Sequence, residues 1–444
     1  MWIALIFAAT PVVHVQAGAP LGGNGSAERP FTRVGDALAA APDGATIAIE
    51  TGLYEGPLEL GRRVRLEGHG QVVLAAPADA EVAIRIRSDA TLANLSVQGG
   101  RVGVQIQQGA AQLEHVRLRG QPEVAIVCDA GAHCELVDVE LQSSFAQAIG
   151  LRGPGVIDVK RVHIAGPFRR AVELKDGTLT GEDLEIQGPV TGVHAIGSKV
   201  SLKDARFDDL RGSCTFASAG TLELGEPVFT GCDVAVEVRE GAKVTLTGAI
   251  ASGCKRAVVA STEAHVVAHD LAAVGPSRDA ALMLVGGDAE LDDVRIRRPG
   301  TVAVMARGAK VHFRNLVVDD VRADHDDFGN ALFLYASTVD GQDLLARRCE
   351  GPAIEAQLGS GRMEDVVIEQ AGLAGLALEH QAELRIDGLE LRGAPNAGLA
   401  CIENSKLQLR GYALREVHEP YLIDCSCEVT LQPNDSARPT CSAK

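Results

Sequence analysis

The densest group of chemically capable side chains is the run Asp-Asp-Val-Arg-Ala-Asp-His-Asp-Asp-Phe-Gly-Asn at 319–330. Asp324, Asp326 and Asp327 offer carboxylate oxygens to a hard cation such as Ca²⁺, which collects six to eight of them. The same acids, with His325 among them and Arg322 at the edge, could instead supply a carboxyl pair for acid and base work. A plain solvated loop has the same composition. The chain therefore offers Arg322, Asp324, His325, Asp326 and Asp327 as a candidate binding loop, with the three aspartates as metal ligands and Ca²⁺ as the cofactor they would hold. No residue identifies itself as catalytic.

Two further sets of charges recur. Asp138, Asp183, Asp204, Glu226, Asp270, Asp293, Asp343 and Asp365 occupy one place in a repeat. Stacked carboxylates repel, so each needs a local backbone N–H, as Asp finds at turns, or a shared cation. The basic corners are Arg169-Arg170, Lys255-Arg256 and Arg278; Lys255 lies four units from Arg169, about 19 Å along the stack, so those two cannot share one site.

Ten cysteines fit an exported chain. Cys232 and Cys254, one repeat apart, would stand one strand spacing from each other, about 4.8 Å, within reach of a disulfide. Cys128 with Cys134 around a corner, Cys401 with Cys425 on adjacent turns, and Cys427 with Cys441 in the tail are the other expected pairs. Cys214 and Cys349 find no partner. The spacings lack the Cys-x-x-Cys of zinc sites.

Composition narrows the partners. With 42 basic and 59 acidic residues the net charge is −17, which disfavours nucleic acid and anionic surfaces, and equally the unassisted binding of acidic polysaccharides. Aromatic residues are 3% and the one Trp is Trp2, so few rings are available to stack on sugars.

These side chains must be placed by a repeating framework. One apolar position per unit can be followed through Leu95, Val116, Val139, Val162, Leu184, Ala205, Pro227, Ala249, Leu271, Val294, Leu316, Leu344, Val366, Leu389 and Tyr412, at steps of 21 to 23 residues with a single step of 28. Around each the pattern alternates apolar and polar with period two, the mark of half-buried strands. A unit this short cannot bury its own apolar face and must stack on its neighbours. The long step holds the 319–330 run.

Short strands separated by Gly and polar corners in a turn of this length resemble the right-handed parallel β-helix of the pectin-lyase-like superfamily. The opening segment, Gly-Asn-Gly-Ser-Ala-Glu-Arg-Pro-Phe-Thr-Arg-Val-Gly-Asp-Ala-Leu-Ala-Ala-Ala-Pro-Asp-Gly-Ala-Thr-Ile-Ala-Ile-Glu-Thr-Gly-Leu-Tyr-Glu-Gly at 23–56, is similar to that superfamily's entry: a glycine-rich start, Pro-Phe, a short helix and a strand ending in Gly-x-Tyr. The resemblance implies an all-β fold, a single right-handed parallel β-helix of about 22 residues per rung with a short N-terminal capping helix. Its pectate-lyase members combine a basic proton abstractor with Ca²⁺-bound aspartates, and its polygalacturonase members group aspartates with Gly-His-Gly. Gly68-His69-Gly70 is present here, but it precedes the regular units and lacks an Asp pair in register, so no catalytic role carries over to His69.

Phe31, Val34, Leu38 and Ala41 recur at helical steps between Pro30 and Pro42-Asp43-Gly44, giving a short amphipathic helix that can lie over the first rung and cover its open edge. Residues 1–19 are apolar and end in small residues, with cleavage expected after Ala17 or Ala19, and read as a secretory signal too short to span a membrane. The expected organisation is signal 1–19, cap and first strand 20–60, β-helix 61–431 and tail 432–444. The function expected is that of a secreted, periplasmic or envelope solenoid that binds a polysaccharide or envelope component without catalysis. A polysaccharide lyase or glycoside hydrolase is the alternative.

Overall fold

The computed structural model describes residues 10–142, 146–275, 280–323 and 329–432. The chain divides into two compact units, Met1–Lys203 and Asp204–Lys444. Each is a parallel β-solenoid.

One turn of the first unit shows the plan. Strand Thr178–Gln187 runs along one wall, bends at Asp183 and continues along a second; after Gly188, strand Thr191–Ile196 forms the third wall and Gly197 turns the chain into the next coil. Leu179 pairs with Ile157 and Leu184 with Val162 in the preceding turn, each 22 residues earlier. Val193 pairs with Val172 at a step of 21. The second unit repeats this. Val294 pairs with Leu316, Leu316 with Leu344, and Leu344 with Val366, so the 28-residue step stays in register. Its extra residues follow Val321 and end before Asn330, where the second wall passes into the third.

The register positions are the core. Leu95, Val139, Val162, Leu184, Val294, Leu316, Val366 and Leu389 are all buried, and full burial of such a side chain contributes about 1.5–3 kcal/mol. Outward residues alternate with them. At one corner a polar side chain is fully used: Ser198 Oγ accepts the Gly177 N–H at 3.2 Å and donates to the Ile196 carbonyl at 2.8 Å.

The acidic ladder is a backbone feature. Asp138, Asp183, Asp204, Glu226, Asp270, Asp293, Asp343 and Asp365 all have φ between 52° and 58°, and Asn94, His115, Arg161, Asn315 and Gly248 fill the same place in other turns. This left-handed residue makes the bend between the first two walls, and Asp, Asn and Gly adopt it at least cost. The backbone N–H groups of Asp138, Asp204, Glu226 and Asp270 bond to carbonyls of the next turn. The Asp138 side chain pairs with Arg161 and that of Asp270 with Arg295.

The helix Val34–Ala40 buries Val34, Ala37 and Leu38 and lies against the first strands. Val12–Val15, inside the segment read as an export signal, forms a strand in register with Thr46–Ile49. Cleavage after Ala17 or Ala19 would remove this strand. No helix among the described residues is long and apolar enough to cross a membrane.

Disulfides join Cys128 to Cys134 and Cys232 to Cys254, with Cα atoms 6.6 and 4.3 Å apart. The expected Cys401–Cys425 bridge is not formed. Cys401 points inward opposite Ile423, whereas Cys425 lies beyond that strand in an exposed turn, and the Cys401 thiol donates to the Ser405 carbonyl at 3.6 Å instead. Cys441, the partner expected for Cys427, lies outside the described residues. Cys214 and Cys349 are buried thiols; burial pushes the Cys349 pKa up to about 12 and raises that of Cys214 as well.

Candidate functional site

In the second unit the outward residues of the first wall form columns one turn apart. One column runs Glu290, His312, Asp340, Arg362. Beside it, two residues along each strand, runs His269, Asp292, Arg314, Gln342, Glu364. All of them except Arg362, which lies beyond its end, line an open groove of about 430 Å³. Each of these strands is held in register by its neighbours, so the side chains repeat at the strand spacing of about 4.8 Å.

Opposite charges meet in the second column. Arg314 grips Asp292 in a bidentate pair at 2.8 and 2.6 Å, and His269 reaches the same carboxylate at 3.5 Å. The Arg314 hydrogen bonds hold the Asp292 carboxyl below the usual carboxylate range, against the opposing effect of burial. Asp292 in turn raises Arg314. In the first column His312 faces Asp340 at 3.7 Å, and Arg362 pairs with Glu364 across the columns. Glu290 is exposed and makes no ion pair among the described residues. The floor holds Phe313 and Gly341, whose missing side chain leaves space that the Phe313 ring enters.

The groove presents fixed acceptors and donors over four successive turns. On the third wall of this unit the Glu379 carboxyl is raised, by burial first and the charge of Glu355 second.

Asp324, His325, Asp326 and Asp327 lie outside the described residues. Arg322 is exposed, with its backbone N–H bonded to the Gly300 carbonyl at 3.0 Å. It belongs to the passage from second to third wall, while Asp293 and Asp343 mark the bend between first and second walls. Among the described residues no group of three or more His, Cys, Asp or Glu could hold a metal ion. Lys255 pairs with Asp233 at 2.5 Å and Arg170 with Glu173; Arg278 lies outside the described residues. His69 is exposed in the first unit, where strand Val64–Ala75 shifts register between Glu67 and Val73.

Sequence reasoning missed the groove residues, although the signal was present. They are the second and fourth residues before the register positions Val294, Leu316 and Leu344, and the second before Leu271 and Val366.

The fold and groove define a parallel β-solenoid with a polar groove on one wall. No protein-family model matches the chain, and no curated protein matches it. Among solved structures it is similar to a Family 28 exopolygalacturonase from Yersinia enterocolitica, at 10% identity and a TM-score of 0.28 over 97% of this chain and 80% of that one. It is similar to the catalytic domain of a GH87 alpha-1,3-glucanase in complex with nigerose, at 11% identity and a TM-score of 0.26 over 96% and 69%. The surface adhesin PfbA of Streptococcus pneumoniae matches at 10% identity and a TM-score of 0.18 over 88% of each chain. No residue role follows from likenesses of this size.

Proposed function

We propose that this protein is an exported solenoid that binds an extended, uncharged polysaccharide along the groove of the second unit, without cleaving it. The observation that carries the reading is the fixed array of acceptors and donors across four turns: Glu290, Asp292, His312, Arg314, Asp340, Gln342 and Glu364. A hydroxyl-rich chain is recognised by planar groups with two acceptors or two donors, and carboxylate, guanidinium and amide are those groups. The groove carries four carboxylates against one arginine among its lining residues, so a uronate chain would be repelled. Ion pairs between turns hold most of these side chains before the ligand arrives, which lowers the entropy lost on binding.

Glycoside hydrolysis is the competing reading, and one arrangement favours it. Glu290 and Asp340 lie in one column on either side of His312, two turns or about 9.6 Å apart at Cα. Two carboxyls of an inverting enzyme stand about 6.5–9.5 Å apart.

Binding and turnover should be measured together on neutral, amino and uronic-acid polysaccharides, by calorimetry and by release of reducing ends. Binding of a neutral chain that is weakened by Arg314→Ala or Gln342→Ala, with no products formed, supports the proposal. Turnover that disappears in Glu290→Gln or Asp340→Asn would establish the hydrolase and end the non-catalytic reading. Absence of binding to any chain would sink both.

A further inference from the structure

The last described turn of the second unit is weakly held. Strands Tyr421–Ile423 and Glu428–Gln432 pair with Ala397–Cys401 and Lys406–Val417 on one side, and with no strand on the other among the described residues. Between 421 and 432 only Ile423 is buried, so apolar burial, which secures the earlier turns, contributes little here. Such an end opens before the rest of a solenoid does.

Two cysteines meet at its edge. In earlier turns a serine just ahead of a first-wall strand sends its side chain back to the N–H of its counterpart one turn before: Ser198 Oγ accepts from Gly177 at 3.2 Å, Ser337 Oγ from Ala309 at 3.1 Å and Ser405 Oγ from Ala382 at 3.2 Å. Cys427 holds this place ahead of Glu428–Gln432. Its counterpart is Ser405, because Lys406 pairs with Glu428 and the Ser405 carbonyl accepts the Glu428 N–H at 3.0 Å. By the same geometry Cys427 Sγ turns back toward the Ser405 backbone. Cys401 Sγ reaches that backbone from the third wall, donating to the Ser405 carbonyl at 3.6 Å. Both sulfurs therefore arrive at one residue. In keeping with their contact, the Cys401 pKa is raised by burial first and by a hydrogen bond with the Cys427 thiol second. Cys425 is exposed in the turn that precedes the corner.

We propose that Cys401 and Cys427 form a third disulfide site, closed by thiol–disulfide exchange and joining the last two described turns. Cys427 is half-buried and Cys401 wholly buried, so Cys427 meets the oxidant first, since attack comes from an accessible thiolate. Its sulfur attacks a small disulfide such as oxidised glutathione, whose bond breaks to release one thiolate. The Cys401 thiolate then attacks Cys427 Sγ and releases the second. One bond forms within the protein, two electrons pass to the oxidant, and the two cysteine protons end on the two released thiols. The bridge closes a loop of about one turn, as Cys232–Cys254 does, and restrains the unfolded chain in the same way. It ties down the turn that burial leaves loose. This site is separate from the groove, and its test does not depend on the polysaccharide reading.

The test is peptide mapping of the unreduced full chain after incubation with oxidised glutathione, with fragmentation between Cys425 and Cys427 to tell those two apart, and amide exchange before and after. Cys401 should be recovered joined to Cys427. Closing the bridge should slow exchange in Tyr421–Ile423 and Glu428–Gln432 by about tenfold or more. The paired changes Cys401→Ser and Cys427→Ser should abolish that slowing and leave exchange around Cys232 and Cys254 as it was. If the pair fails to fold, Cys427→Ser alone alters only the half-buried position; Cys401 should then react with a thiol reagent in the unfolded chain, as it does not in the oxidised parent. Recovery of Cys401 and Cys427 as free thiols while Cys232 and Cys254 are joined would overturn the site, and so would Cys401 joined to Cys425. An oxidised chain whose last turn exchanges as fast as that of the reduced chain would overturn the role given to the bridge.

Discussion

Replacing Gly341 by Ala puts a methyl group into a place already taken by a ring. Gly341 belongs to an inward column of the first wall that reads Leu291, Phe313, Gly341, Met363, Ile386, Leu409. A Cβ built there would lie 2.1, 2.3 and 2.6 Å from the Phe313 ring atoms Cζ, Cε1 and Cε2, where carbon atoms normally rest about 3.5–4.0 Å apart. The ring must retreat by more than about 1 Å into an interior that is packed without spare volume. Overpacking of this kind costs about 1–3 kcal/mol, and contact with three ring atoms at once places Gly341→Ala near the upper end. Phe313→Leu removes the offending atoms, so the double variant should recover at least about 1 kcal/mol relative to the sum of the single changes. Urea unfolding measures both. Because a solenoid can lose turns locally, amide exchange in strands Lys310–Val321 and Thr338–Cys349 should be followed alongside, and faster exchange should be confined to those turns. A Gly341→Ala chain within about 0.5 kcal/mol of the parent, or a double variant with no recovery, would refute the packing argument. Phe313 and Gly341 also lie in the groove floor, so Gly341→Ala should weaken polysaccharide binding as well.

Other outcomes follow from single features. Cys232 and Cys254 close a loop with a sequence separation of 22, so replacing both by Ser should cost about 3 kcal/mol by the chain-entropy relation; unreduced peptide mapping that finds both as free thiols would remove the premise. At the bend, Asp183 has φ 54°, so Asp183→Gly should be nearly neutral whereas Asp183→Val should cost about 1–2 kcal/mol, as read by thermal unfolding; equal effects would show that the bend does not select its residue. Asp292 has a carboxyl lowered by Arg314, so its ionised form favours folding: the contribution is present above the ordinary carboxylate value and fades as pH falls through the lowered one. The stability advantage of the parent over Asp292→Asn should accordingly vanish in acid and shrink with added salt, and an advantage that grew on acidification would contradict the pairing.

How much was legible beforehand can be judged from particular residues. The repeat of Leu95, Val116 and Val139 and their successors determined the solenoid, its register and its inward face, because a strand has only two faces and burial selects one of them. Even the 28-residue step was placed correctly, since its excess had to lie between paired strands. The acids at Asp138, Asp183 and Asp293 were visible as a ladder, but their cause was a left-handed backbone rather than a ligand, and φ cannot be read from a carboxylate. The helix Val34–Ala40 followed from the spacing of Val34 and Leu38.

Outward side chains obey no such selection. Solvent accepts Glu290, His312 or Asp340 equally well, so the alternation does not single them out as a site; their common offset from the register positions puts residues 22 and 28 positions apart in one column, and only the stacked turns show which of them bond. The same holds for Cys401, whose partner was decided by which way two side chains point at a strand end. It holds most strongly for Glu355, Glu379 and Asn330. They come from three different turns, and they meet because the third wall carries them there, with amides rather than bases filling the space between. The sequence by itself determined which residues are inside, a choice made by the free energy of burial. The tertiary structure alone decided which exposed residues meet, because that depends on distances across turns that no local pattern encodes.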